Sequence, residues 1–92
     1  MNHYGQLAQT YMRQWRPQAY QQISDLQTHF TELGETIADR VLELKMQMAG
    51  SDPQGEGYLQ KVQRLERAQM AAEEIVLEDL VYQRTKPVTP SP

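Results

Sequence analysis

The side chains best equipped for chemistry are four acids, Glu73, Glu74, Glu78 and Asp79, crowded at the end of the last apolar-periodic stretch. General acid/base catalysis needs two carboxyls that converge on one reacting atom. Neighbouring residues on a helix point about 100° apart, so neither Glu73 with Glu74 nor Glu78 with Asp79 converges. Glu74 and Glu78, four positions apart, share a face, which makes a like-charge neighbour pair and not an active site. Acids in the last turns also oppose the helix dipole. A solvated acidic face is the simplest account of them. Their functional reading is a surface kept for a partner protein.

Basic side chains fall in two groups. Lys61, Arg64 and Arg67 recur one turn apart. Solvation beside Glu43 or Glu74 accounts for them, and the functional alternative is a contact for an acidic protein surface or a phosphate backbone. Arg13 and Arg16 lie in a segment, Met1 to Ser24, that contains no acid. Against nucleic acid stands the net charge of -3, since phosphate binding needs a surplus of cations on one face. The chain has no cysteine, which removes disulfides, thiolate zinc sites and thiol nucleophiles together. His3 and His29 are too few and too far apart for a metal cluster, and His29 lies off the apolar stripe, at the surface. Gly50, Gly55 and Gly57 lack the preceding strand and the Lys-Ser/Thr ending of a phosphate-binding loop. No catalytic residue, metal, cofactor or small-molecule substrate is therefore expected.

The elements that must hold these residues are helices. In Leu26 to Met48 the positions Leu26, Phe30, Leu33, Ile37, Val41, Leu44 and Met48 step by three or four without a miss. In Glu56 to Gln83, Tyr58, Val62, Leu65, Ala72, Val76 and Leu80 fall on one stripe with Gln69 as its polar member. The run Gly-Ser-Asp-Pro-Gln-Gly-Glu-Gly, residues 50–57, breaks the helix between them. The class is all-α: a long antiparallel αα-hairpin with an N-terminal helix and a short corner helix packed on it. Helices are expected at about 2–15, 17–23, 25–49 and 57–83, forming one domain over 1–84. Ser24 and Gln27 have the form of a capping box for the third helix, and Gly50 suits its left-handed cap. Pro17 ends the first helix at Arg16 and starts the corner. Residues 85–92, with three prolines, read as a flexible tail.

Packing can be sketched from the same pattern. Tyr4, Leu7, Ala8, Tyr11 and Trp15 line the packing face of the first helix, and Tyr20 and Ile23 continue it around the corner. If Met48 lies level with Tyr58, then Leu44 meets Val62, Val41 meets Leu65 and Ile37 meets Gln69. Gly34, a glycine inside a clean helical pattern, signals close approach by another element. Glu66 and Glu73 border the apolar face on the side of Leu59, Met70 and Leu77, where the first helix is expected to dock. A carboxylate there needs a partner. Glu73 should accept a hydrogen bond from the N-terminal segment, with Tyr11, Arg16 and Tyr20 as the candidate donors. Met70, Leu77 and Val81 leave an apolar edge that a second copy could cover as a homodimer.

With 39% hydrophobic and 23% charged residues, the composition is that of a soluble globular chain. No apolar run reaches the roughly 18 residues of a membrane span, and the start shows no charged-then-apolar leader. A cytoplasmic protein with no membrane partner is expected.

Two runs carry a more specific likeness. Tyr4-Gly5, Tyr11, Arg16-Pro17 and Tyr20 resemble the N-terminal run of TnpV-family proteins, and Ala72-Glu73-Glu74-Ile75-Val76-Leu77 with Leu80, Val81 and Tyr82 is similar to the family's C-terminal run. Together they span most of the chain, from about Tyr4 to Tyr82. The resemblance implies a small product of a bacterial transposon or integrative element, without a defined biochemical activity and with a suggested link to element excision. The expected function is a non-enzymatic helical accessory protein of a mobile element or phage that binds another protein, either a recombinase or a host defence complex that it inhibits. Glu73, Glu74, Glu78 and Asp79 would form the contact. The alternative is a DNA-binding excision factor using Arg13, Arg16, Lys61, Arg64 and Arg67. Trp15, Pro17, Tyr20, Gly34, Glu66 and Gln69 are assigned to structure.

Overall fold

The computed structural model describes residues 1–83; the expectation of a tail over 85–92 concerns residues beyond these. Four α-helices follow in order: α1 (His3–Trp15), α2 (Pro17–Gln21), α3 (Leu26–Ala49) and α4 (Tyr58–Leu77). α4 runs on into a π-helical turn, Glu78–Tyr82. The described residues contain no strand, so the fold is all-α, with the long α3/α4 hairpin as its frame.

Asn2 is the hinge of the N-terminal packing. Its side chain accepts from the Gly5 N–H at 2.9 Å, capping α1, and donates to the Gly34 carbonyl at 2.9 Å, fastening α1 to α3. Both contacts need bare backbone. A Cβ on Gly34 would fall on Asn2 Oδ1 and lie 2.8 Å from the Gly5 nitrogen, and a Cβ on Gly5 would meet the Phe30 carbonyl. The close approach expected at Gly34 is present, and Gly5 is its counterpart on α1.

Asn2 and Gly5 meet Gly34 and Phe30 in reverse order, so α1 runs antiparallel to α3. Tyr4 reaches Glu73 and Tyr11 reaches Tyr82, so α1 runs parallel to α4. Pro17 occupies the first turn of α2, as its fixed φ favours. The Tyr20 ring lies 6.1 Å from Phe30, and its hydroxyl accepts from Gln9 Nε2 at 3.1 Å.

Several local expectations are corrected. Asp25, not Ser24, caps α3: its carboxylate accepts from the Thr28 N–H at 3.1 Å and the Thr28 hydroxyl at 2.8 Å. Aspartate and serine are both good caps, and an aspartate one residue on can take both Thr28 donors. Gly50 has the expected positive φ of 65°, but its ψ of -160° places it in a mirror-extended region open essentially to glycine alone. Trp15 does not pack; it is 66% exposed at the end of α1, where Pro17 turns the chain before another element can cover it.

The pair expected to open the hairpin, Met48 and Tyr58, does not belong to the core. Met48 and Tyr58 are both exposed, Tyr58 at 85%. The buried core joins Phe30, Ile37 and Val41 to Ala72, Val76 and Val81, with Ala8 closing it from α1. Arg64, and not Tyr58, meets the end of α3, through a hydrogen bond to the Ala49 carbonyl. The first turns of α4 therefore contribute little to the core. The expected stripe placed Leu80 below Val76, whereas Val81 is the buried residue. The π turn explains this, because its i→i+5 closure, Gln83 N–H to Glu78 carbonyl at 2.6 Å, brings positions five apart level. Val81 and half-buried Leu77 thus belong to the molecule's own core, leaving Met70 as the exposed member of the edge proposed for a second copy.

Candidate functional site

The acids split between two surfaces. Glu73 turns toward α1 and accepts a 2.7 Å hydrogen bond from the Tyr4 hydroxyl, which itself accepts from Gln69 Nε2 at 3.2 Å. The expected bond between Glu73 and the N-terminal segment is present, but Tyr4 makes it, and Tyr11, Arg16 and Tyr20 do not. Tyr11 instead stacks edge-on against Tyr82 at 4.8 Å. Desolvation, followed by the bond to Glu73, raises the Tyr4 pKa from 10.0 to about 12. Glu66 stays exposed, as do Leu59 at 67% and Met70 at 69%, so α1 covers only the Gln69–Glu73 part of the side assigned to it.

Glu74, Glu78 and Asp79 line an open groove of about 840 Å³ between α3 and the end of α4. Leu44 and the nearly buried Val76 contribute apolar surface to it, and Ile75 stands half-exposed in it. Arg40, Glu43 and Gln47 form the α3 wall. Among the described residues, four carboxylates and one guanidinium thus rim an apolar strip. Neither Glu43 nor Glu74 has an ion-pair partner among the described residues. Periodicity places Glu74 and Glu78 on one face, but the apolar stripes alone do not show that Arg40, Glu43 and Gln47 of α3 line the same groove.

The basic residues do not converge. Lys61 pairs with Asp52 at 2.6 Å, and Arg64 pairs with Asp52 at 2.8 Å and with Glu56 at 2.8 Å and 3.1 Å. The ion pairs expected from Glu43 or Glu74 are replaced by pairs from the loop acids. The Lys61 hydrogen bond, with help from Arg64, holds the Asp52 carboxyl below its ordinary range, and the Glu56 bond raises the Arg64 pKa. These two cations fasten the 50–57 loop to α4. Arg67 lies exposed beside the same loop, lining a shallow hollow with Pro53 and Gln63. Arg13 and Arg16 are exposed at the far end of α1. Since α1 runs parallel to α4, that end lies away from the loop, and the five cations form no single face.

What these features define is a small all-α protein built on a helical hairpin, with an acid-rimmed apolar groove and a polar network joining its N-terminal helix to α4. The chain belongs to the transposon-encoded protein TnpV family, whose family model matches residues 1–81. Comparison with curated proteins and with solved structures finds no match. None of the helices among the described residues is long and apolar enough to cross a membrane.

Proposed function

We propose that this chain is a non-enzymatic accessory protein of a bacterial mobile element that acts in the host cytoplasm by binding another protein through the α3/α4 groove. The observation that carries this reading is the groove itself, where half-exposed Ile75 stands beside Leu44 and Val76 and is rimmed by Glu43 and Glu74, neither of which has an ion-pair partner among the described residues. Apolar surface gives affinity on desolvation, while the rim charges select and steer the partner. Glu73 has a structural role in this reading, bonded to Tyr4, so the partner surface narrows to Glu74, Glu78 and Asp79 joined by Glu43. The element's own recombinase is the first candidate target. A host defence complex with a basic nucleic-acid groove, inhibited by occupation of that groove, is the second.

The test is a titration of the parent element's purified recombinase into the labelled chain, alongside a gel shift on the element's ends across a salt series. Saturable protein binding that weakens in the double variant Glu43→Lys plus Glu74→Lys is expected. Sequence-dependent DNA binding lost in Arg13→Ala plus Arg16→Ala would overturn the reading in favour of a DNA-binding excision factor.

A further inference from the structure

We infer that the partner segment seated in the α3/α4 groove is an amphipathic helix, with aliphatic side chains on its inner face and lysine or arginine along its flanks. This rests on the protein-binding reading above and specifies its ligand. Both walls are helices, and the described residues offer no strand edge. An extended peptide would therefore bring unpaired backbone N–H and C=O groups to walls whose own backbone bonds are already made, whereas a helix arrives with its backbone satisfied. The groove is open to solvent, with about 840 Å³ of space between its walls, room for the inner face of a helix about 10 Å across.

Charge sets the flanks. Glu43 on one wall and Glu74 on the other have no ion-pair partner among the described residues, and Glu78 and Asp79 add negative charge at one end. A nucleic acid would meet carboxylates on both walls and be repelled. A neutral apolar helix would desolvate those carboxylates without return. A helix flanked by cations pairs with them while its aliphatic face covers Ile75, Leu44 and Val76. Arg40, the one cation of the lining among the described residues, would sit beside an acidic or polar position of the incoming segment.

The probe is a capped leucine/lysine amphipathic peptide of about 14 residues, long enough to be helical when bound, titrated against the full chain. A composition-matched peptide with scrambled periodicity serves as control. Saturable one-to-one binding is expected, with amide shift changes confined to the Arg40–Gln47 and Glu74–Asp79 segments. Affinity should fall as salt rises from about 50 to about 200 mM, and the Glu43→Lys plus Glu74→Lys variant should lose about tenfold or more. Ile75→Ser should weaken binding at all salt concentrations, with its circular dichroism unchanged. Equal binding of the scrambled peptide, shift changes elsewhere, indifference to the charge reversals, or groove-dependent self-association in sedimentation would each overturn the inference. If the peptide fails while recombinase binding remains sensitive to the charge reversals, the helical ligand is wrong and protein binding through the groove survives. If both fail, the groove is not the site.

Discussion

The Tyr4 hydroxyl donates to Glu73 and accepts from Gln69, and its pKa stands at about 12 against an ordinary 10.0, through desolvation first and the Glu73 bond second. A folded-state pKa raised above the unfolded one contributes stability that is complete below about pH 10 and is lost as pH rises toward about 12. Tyr4→Phe should lower stability at neutral pH by about 1–2 kcal/mol, by leaving Glu73 without its donor. It should also flatten the loss of stability above pH 10, measured by urea unfolding across that range. The need for a donor to Glu73 was legible, because a carboxylate beside an apolar stripe must be paired. Which donor was not, because it depends on how far α1 slides along α4, and that is set by Asn2 and Gly5 seated on Gly34.

At the scale of elements, the α1–α3 crossing turns a familiar substitution around. Gly→Ala inside a helix ordinarily gains up to about 1 kcal/mol, but here Gly34→Ala would drive a Cβ onto Asn2 and should cost about 1–3 kcal/mol, seen as a lower urea midpoint. The start of α3 carries its own pH dependence. The Thr28 N–H, and then the Thr28 hydroxyl, hold the Asp25 carboxyl below its ordinary range. A depressed pKa contributes stability above the unfolded value near 3.8 and loses it as pH falls through the folded value. Asp25→Asn, which keeps an acceptor but not the charge, should reduce the acid sensitivity of the thermal midpoint below pH 4. Helix identity and approximate extent were legible because the apolar period is unbroken in α3 and interrupted only at Gln69 in α4. The cap and the π turn were not: Ser24 and Asp25 are both competent caps, and an i→i+5 closure leaves no mark in a 3.6-residue period.

For the whole molecule, hairpin topology could be read from two stripes joined by a breaker, but their relative slide could not, since a shift of about one turn still sets apolar against apolar. What fixes the slide is polar. Arg64 binds the Ala49 carbonyl, Asp52 and Glu56 at once, pinning the loop and the end of α3 beside the second turn of α4. The C-terminal parts of α3 and α4 line a common groove, while Lys61, its side chain still 45% exposed, and Arg64 are engaged by the loop acids. On the proposed reading, this groove is the contact surface. Its most direct test is site-specific photocrosslinking in host cells carrying the element, with the crosslinking residue placed at Gln47 or Ile75 in the groove, or at Gln14 or Met70 outside it. One discrete protein adduct is expected from Gln47 and Ile75 and none from Gln14 and Met70; adducts from Gln14 alone, to DNA or to protein, would show that the contact lies elsewhere.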